Sequence, residues 1–209
     1  MPVRQEMVTT IDLLRHGACE GGEVYRGRTD TLLSTEGWQQ MELAIGSYAD
    51  WQRIVTSPLS RCRRFAEHCA SEMGLPLRVV AAMREIDFGD WEGRLLEEVW
   101  RETPEQVDRF YRDPSEVTPP GGEPVVAALE RIVASWRELM EECAGEHLLL
   151  VSHGGVIRLL LSHLLDLPLS NITRLHIPYA SRTRIRVHHL DQGDFPVLLS
   201  LNSGSHVCD

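Results

Sequence analysis

Two histidines in this chain each follow an apolar run and precede a glycine. The first run (Val8, Ile11, Leu13, Leu14) reads as a buried strand that breaks at Arg15-His16-Gly17. The second, His147 to Val151, ends in Ser152-His153-Gly154-Gly155 and leads into a helical run from Val156 to Leu165. Either histidine alone would read as a hydrogen-bonded structural residue. Together, with Arg15 and a glycine over which backbone can approach a ligand, they describe an anion site with an imidazole nucleophile. A third segment, Ser57-Pro58-Leu59-Ser60-Arg61, follows the short apolar run Ile54-Val55-Thr56. It reads as a helix start with Ser57 as cap and Pro58 in the first position. Arg61 then falls in the first turn, where its charge adds to the positive end of the helix. A fourth segment, Glu85 to Gly93, packs acids, aromatics and glycines into an irregular loop and supplies a carboxylate. The glycine-rich stretch 21–28 carries Arg26 and Arg28, each readable as a site residue or as part of a solvated loop.

The elements that must position these groups alternate. Apolar patterning predicts strands at 8–14, 53–56, 77–80, 147–152, 174–178, 183–190 and 196–201, and helices at 35–49, 58–73, 95–111, 124–143 and 155–165. That order implies a three-layer α/β/α sandwich with a mostly parallel central sheet. The turn-like Asp191-Gln192-Gly193-Asp194 makes the last two strands an antiparallel edge hairpin. With no repeats and no low-complexity linker, residues 1–209 read as one domain. Pro114 to Pro124 is the clearest loop and is expected to cover the site.

Composition narrows the function classes. A formal net charge of −10 argues against a nucleic-acid partner, so an anionic substrate must be held by a local cluster of arginines. No apolar run reaches membrane-spanning length and the first residues do not open a signal peptide, so a cytoplasmic enzyme with no membrane partner is expected. Five scattered cysteines without a C-x-x-C pair are not a disulfide framework. Cys19 reads as a loop residue or as a thiol activated by nearby arginine. No metal is expected, because the histidines lack ligand spacing.

The quoted motifs resemble, in order, those of the histidine phosphatase superfamily, the phosphoglycerate mutase-like fold. They are Leu14-Arg15-His16-Gly17, Ser57-Pro58-Leu59-Ser60-Arg61-Cys62, Glu85 to Gly93, and Val151-Ser152-His153-Gly154-Gly155. Tyr25 to Asp30, Gly37 to Met41, Arg64 to Glu67 and Thr118 to Pro124 look most like the alpha-ribazole phosphatase branch. Ala18-Cys19 and Phe65 depart from common family patterns without removing a charged group.

The resemblance implies a phosphomonoester hydrolase that needs no cofactor. His16 would become phosphohistidine, with Arg15, Arg61 and His153 on the phosphoryl oxygens and Glu85 as general acid and base. Gly17, Ser57 and Gly154 would line the phosphate seat, and Arg26, Arg28 and the Trp91 loop would wall the leaving group. Trp91 also reads as a core residue beneath that loop. The partner expected is a small-molecule phosphomonoester, with alpha-ribazole 5′-phosphate, of cobalamin biosynthesis, the substrate the branch implies. A homodimer is compatible with the chain. The alternatives are a broad-specificity sugar or small-molecule phosphatase, a phosphoglycerate mutase, and a non-catalytic phosphate-binding module.

Overall fold

The structure, a computed structural model, describes residues 7–46 and 50–203. Its centre is a six-stranded sheet in the order β3-β2-β4-β1-β5-β6. The strands are β1 (Met7–Arg15), β2 (Arg53–Thr56), β3 (Leu77–Val79), β4 (His147–Ser152), β5 (Arg182–Leu190) and β6 (Gly193–Ser203). β1, β4, β2 and β3 run parallel, and β5 and β6 close one edge as an antiparallel hairpin.

The period-two alternation of the strands sends their apolar side chains to opposite faces. Ile11, Leu13, Val55, Leu148 and Leu150 pack beneath α5 (Val125–Glu142) and α6 (Gly154–Leu164). Leu14, Ile54, Leu149 and Val151 pack beneath α1 (Thr35–Ile45) and α2 (Ser60–Met73). The predicted three-layer architecture is therefore present. The helices that follow the neighbouring strands β1 and β4 lie on opposite faces, which opens a crevice at the carboxyl ends of those strands. The register pairs Arg15 with Ser152, so His16 and His153 leave the sheet side by side.

Three predicted elements differ. The helix expected over 95–111 is broken into α3 (Leu96–Glu102) and α4 (Pro104–Arg112). Pro104 has no N–H to continue α3, and it occupies the first position of α4, where none is needed. The strand expected over 174–178 is absent. Leu169–Arg174 forms a 3-10 helix, and the carbonyls of Leu175 and Ile177 go to the arginines Arg158 and Arg15 instead of a sheet neighbour. The first predicted helix stops at Gly46, whose N–H bonds back to Glu42, and residues 47–49 lie outside the described residues. Among the described residues, no helix is long and apolar enough to cross a membrane.

A buried ion network ties β1 to its neighbours. Asp12 is fully buried and accepts two hydrogen bonds from Arg184 at 2.8 and 2.9 Å, one from Trp51 Nε1 at 2.8 Å, and a contact from His147 Nε2 at 3.2 Å. Burial alone would raise its pKa. The hydrogen bonds from His147, Arg184 and Trp51 outweigh burial and hold the carboxyl far below the usual carboxylate range. A depressed pKa contributes stability that is present above the unfolded value and lost as pH falls. Chemical unfolding should show stability dropping on acidification below about pH 4. Asp12→Asn, which takes the charged partner from the partly exposed Arg184, should cost about 1–3 kcal/mol at pH 7 and flatten that acid limb.

Candidate active site

His16 sits at the end of β1, 4% exposed, with Nδ1 2.8 Å from the carbonyl of Gly17. A carbonyl only accepts, so Nδ1 carries the hydrogen and Nε2 keeps its lone pair. Burial, then Arg15, then Arg61 hold the ring well below its ordinary pKa of 6.5, so it stays neutral and nucleophilic through neutral pH. His153 takes the opposite tautomer. Arg61 Nε donates to its Nδ1 at 3.2 Å, so Nε2 carries the hydrogen and donates to Ser57 Oγ at 2.6 Å. The two rings meet edge to face with centroids 5.3 Å apart.

The arginines are held by backbone carbonyls. Arg15 Nη1 donates to Ile177 O at 2.5 Å, and its guanidinium lies 4.0 Å from the Tyr179 ring centroid. Arg61, fully buried in the first turn of α2, donates through Nη1 to Thr29 O at 2.8 Å and through Nη2 to Gly27 O at 2.6 Å. Arg61 Nη2 also reaches Arg26 O at 3.5 Å, and Arg61, His153 and Ser57 are fully buried and do not line the cavity that holds His16. Glu85 is 6% exposed, and its carboxylate accepts from the backbone of Gly155 at 3.0 Å and of Ile86 at 3.1 Å.

Several predicted roles need correction. Ser57 is not the α2 cap: the helix starts at Ser60 with Leu59 at the cap position, because Ser57 Oγ is turned to His153. Gly17 serves close packing rather than ligand approach, since an added Cβ would lie 2.0 Å from Gly37 O. Arg28 is two-thirds exposed, pairs with Asp87 at 3.2 Å and does not line the cavity. Trp91 is 2% exposed, packed on Tyr25 and Phe110, and does not wall the leaving group. Of the Pro114–Pro124 loop, Pro114 lines the cavity, whereas the Pro119–Gly122 turn buttresses the Glu85 loop, through Asp90 N to Pro120 O at 2.8 Å. Burial pushes the Cys19 thiol above its ordinary pKa despite the nearby arginines, which leaves it protonated.

Arg15, His16, Glu85, Gly154 and Arg26 do converge on one cavity of about 620 Å³. Arg26 lines it while donating to Glu20 O and Gly22 O at 2.8 and 2.9 Å. Arg158 and Tyr179 are among the cavity residues that the sequence motifs do not include. Arg158 is the single charged residue in the apolar run of α6, and that isolation was an available signal. Tyr179 directly follows the segment 174–178, which was expected to be a strand.

A sequence profile for the histidine phosphatase superfamily (branch 1) matches residues 11–200. The chain belongs to that superfamily. It is 35% identical over 178 residues to a bifunctional protein of Mycobacterium tuberculosis, covering 83% of this chain but 49% of that protein, so it spans about half of that relative's length. It is 26% identical over 197 residues to the adenosylcobalamin/alpha-ribazole phosphatase of Escherichia coli, covering 91% of this chain and 94% of the relative. The solved structure of mycobacterial glucosyl-3-phosphoglycerate phosphatase superposes with a TM-score of 0.84 at 28% identity, covering 94% of this chain and 99% of that one.

The geometry of this superfamily member makes Gly155 a sharp probe. A Cβ there would lie 2.4 Å from Glu85 Oε1, the far end of a side chain that can swing away. Gly155→Ala should melt within a few degrees of the native protein yet displace the carboxylate. Turnover of an alkyl phosphate should fall by roughly 10²-fold, within the usual worth of general acid–base catalysis. Calorimetry and steady-state kinetics on the same sample check this.

Proposed function

We propose that this histidine phosphatase superfamily member hydrolyses phosphomonoesters of small organic molecules through a phosphohistidine at His16. The observation that carries this reading is the His16 tautomer: Nε2 has a lone pair and no hydrogen-bond partner among the described residues, beside a cavity that also holds Glu85 and Arg15. In the first step Nε2 attacks phosphorus, the P–O ester bond breaks, and Glu85 passes its proton to the leaving alkoxide. The ring becomes cationic, and its Nδ1–H already donates to Gly17 O. Arg15 and Arg61 meet the charge on the equatorial oxygens. In the second step Glu85 takes a proton from water, the water oxygen attacks phosphorus, and the N–P bond breaks to release phosphate.

For the substrate, alpha-ribazole 5′-phosphate is the first reading. The Tyr25-Arg26-Gly27-Arg28 and Thr118-to-Pro124 segments support it, as does a cavity walled by Tyr25, Phe88, Phe110 and Tyr111 that has room for a flat base. One observation favours a second reading, a leaving group that bears a carboxylate. Arg158 lies in the cavity with Glu85 and Tyr111 as its electrostatic neighbours, and only its Nε is tied down, to Leu175 O at 2.8 Å. Glucosyl-3-phosphoglycerate, named for one structural neighbour, is an ester of this kind.

Rapid mixing with radiolabelled substrate and an alkaline quench should trap an acid-labile phosphoryl group in the native protein and none in His16→Ala. Label on Cys19 or a serine would sink the assignment. Glu85→Gln should slow alkyl phosphates by about 10²–10⁴-fold and p-nitrophenyl phosphate less.

Comparing kcat/KM for alpha-ribazole 5′-phosphate, glucosyl-3-phosphoglycerate and p-nitrophenyl phosphate in native protein and Arg158→Gln separates the two substrates. A KM increase of about tenfold confined to the carboxylate-bearing ester supports the second reading. Preference for the ribazole ester with no effect of Arg158→Gln supports the first.

A further inference from the structure

Arg61 carries a full charge in a fully buried position, and among the described residues no carboxylate lies within ion-pair distance of it. A buried guanidinium without a counter-charge is costly, so compensation must come from somewhere. The carbonyls of Gly27 and Thr29 accept from its two terminal nitrogens. What polarises the Gly27 carbonyl lies one peptide plane away. The partly buried carboxylate of Glu92 gathers the backbone amides of Gly27, Arg28 and Thr29 at 3.2, 2.9 and 3.1 Å. It also accepts from the Thr29 hydroxyl at 2.5 Å and from Phe88 N at 3.0 Å.

The Gly27–Arg28 peptide is therefore gripped at both ends. Its oxygen accepts from Arg61 Nη2 at 2.6 Å and its N–H donates to Glu92 Oε1 at 2.9 Å. A peptide with a carboxylate on its N–H becomes a stronger acceptor at its oxygen, since hydrogen bonds in series polarise one another. Local packing holds the unit rigidly. A Cβ on Gly27 would fall 2.0 Å from Ile86 O and 2.2 Å from Glu92 Oε1. Asp30 fixes the same turn to the start of α2, accepting from Ser60 N at 2.7 Å and Ser60 Oγ at 2.8 Å.

We infer that Glu92 is the relayed counter-charge of Arg61, a positioning residue that stabilises the buried guanidinium through the Gly27–Arg28 peptide while leaving its charge uncancelled for a phosphoryl group. A direct ion pair would stabilise Arg61 as well, but it would cancel the charge that an anion needs. Passing the attraction through a peptide keeps that charge available. The effect extends one residue further, because Arg61 Nε sets the tautomer of His153.

The inference rests on the phosphoryl-transfer reading of the site, and its test is made on anion binding. Affinities for inorganic phosphate and orthovanadate are measured by calorimetry for the native protein, Glu92→Gln, Glu92→Asp, Arg61→Ala and the double variant Arg61→Ala/Glu92→Gln. Glu92→Gln, which puts an amide where several N–H groups converge, should weaken both anions by about tenfold or more, and Glu92→Asp, which keeps the charge, by less. In the Arg61→Ala background, Glu92→Gln should cause no further loss, because the relay then has nothing to act on. A general loosening of the loop would instead subtract the same factor in both backgrounds. Native-like affinity in Glu92→Gln, or an undiminished loss in the Arg61→Ala background, overturns the proposal. If Glu92→Gln does not fold, the same cycle is run with Glu92→Asp. Failure of the native protein to bind either anion sinks the phosphatase reading and the inference with it.

Discussion

Holding arginine charges close together, sheltered from water and yet unneutralised is the constraint on which this site depends. Arg15 and Arg61 lie at the ends of different elements, and both disfavour protonation of His16. Pairing each with a carboxylate would satisfy them at the expense of any attraction for phosphate. The fold uses carbonyl oxygens instead: Ile177 for Arg15, and Gly27 and Thr29 for Arg61, with the π face of Tyr179 added. Carbonyls solvate a cation without cancelling it. The carboxylate of Glu85, which also lines the cavity, is bound by backbone amides of Gly155 and Ile86. In a chain of net charge −10, this local arrangement has to do what the global field opposes.

The sheet topology makes such convergence geometrically cheap. Because β1 and β4 are parallel neighbours whose following helices lie on opposite faces, backbone leaves the sheet there without being covered. His16 and His153 meet in that gap with opposite tautomers, the first fixed by the adjacent Gly17 carbonyl and the second by Arg61 from the start of α2. The middle of β1 is secured by the Asp12 network, so the strand that delivers His16 is tied to β5 through Arg184 and to Trp51 ahead of β2.

The motif residues and the rest of the cavity wall come from different parts of the chain. The motif residues sit at strand ends, in the Glu85 loop and in the first turns of α2 and α6. The rest of the wall comes largely from α4, the start of α5 and the irregular segment 172–179. The first set is made of short contiguous motifs. The second is dispersed, which is why the motifs point to a superfamily more sharply than to a substrate.

The apolar runs determined the strands, their burial on both sides and the alternation with helices, because burial of a continuous sheet demands continuous apolar sequence. Arg15, His16, Arg61, Glu85 and His153 were legible for a related reason: chemistry placed at the end of an element leaves a local mark, a charged residue beside glycine or proline. The break at Pro104 was also written in the sequence, in a missing N–H, although periodicity alone reads through it. Tertiary structure alone decided which way side chains turn. Trp91 goes into the core, Arg28 toward Asp87, Ser57 to His153, and Arg158 into the cavity. It also decided that Leu175 and Ile177 serve arginines instead of a neighbouring strand, and that Glu92 and Arg61 share a peptide. Each of these outcomes is set by partners far away in the chain, and a direction fixed by what packs against a residue leaves no trace in the residues beside it.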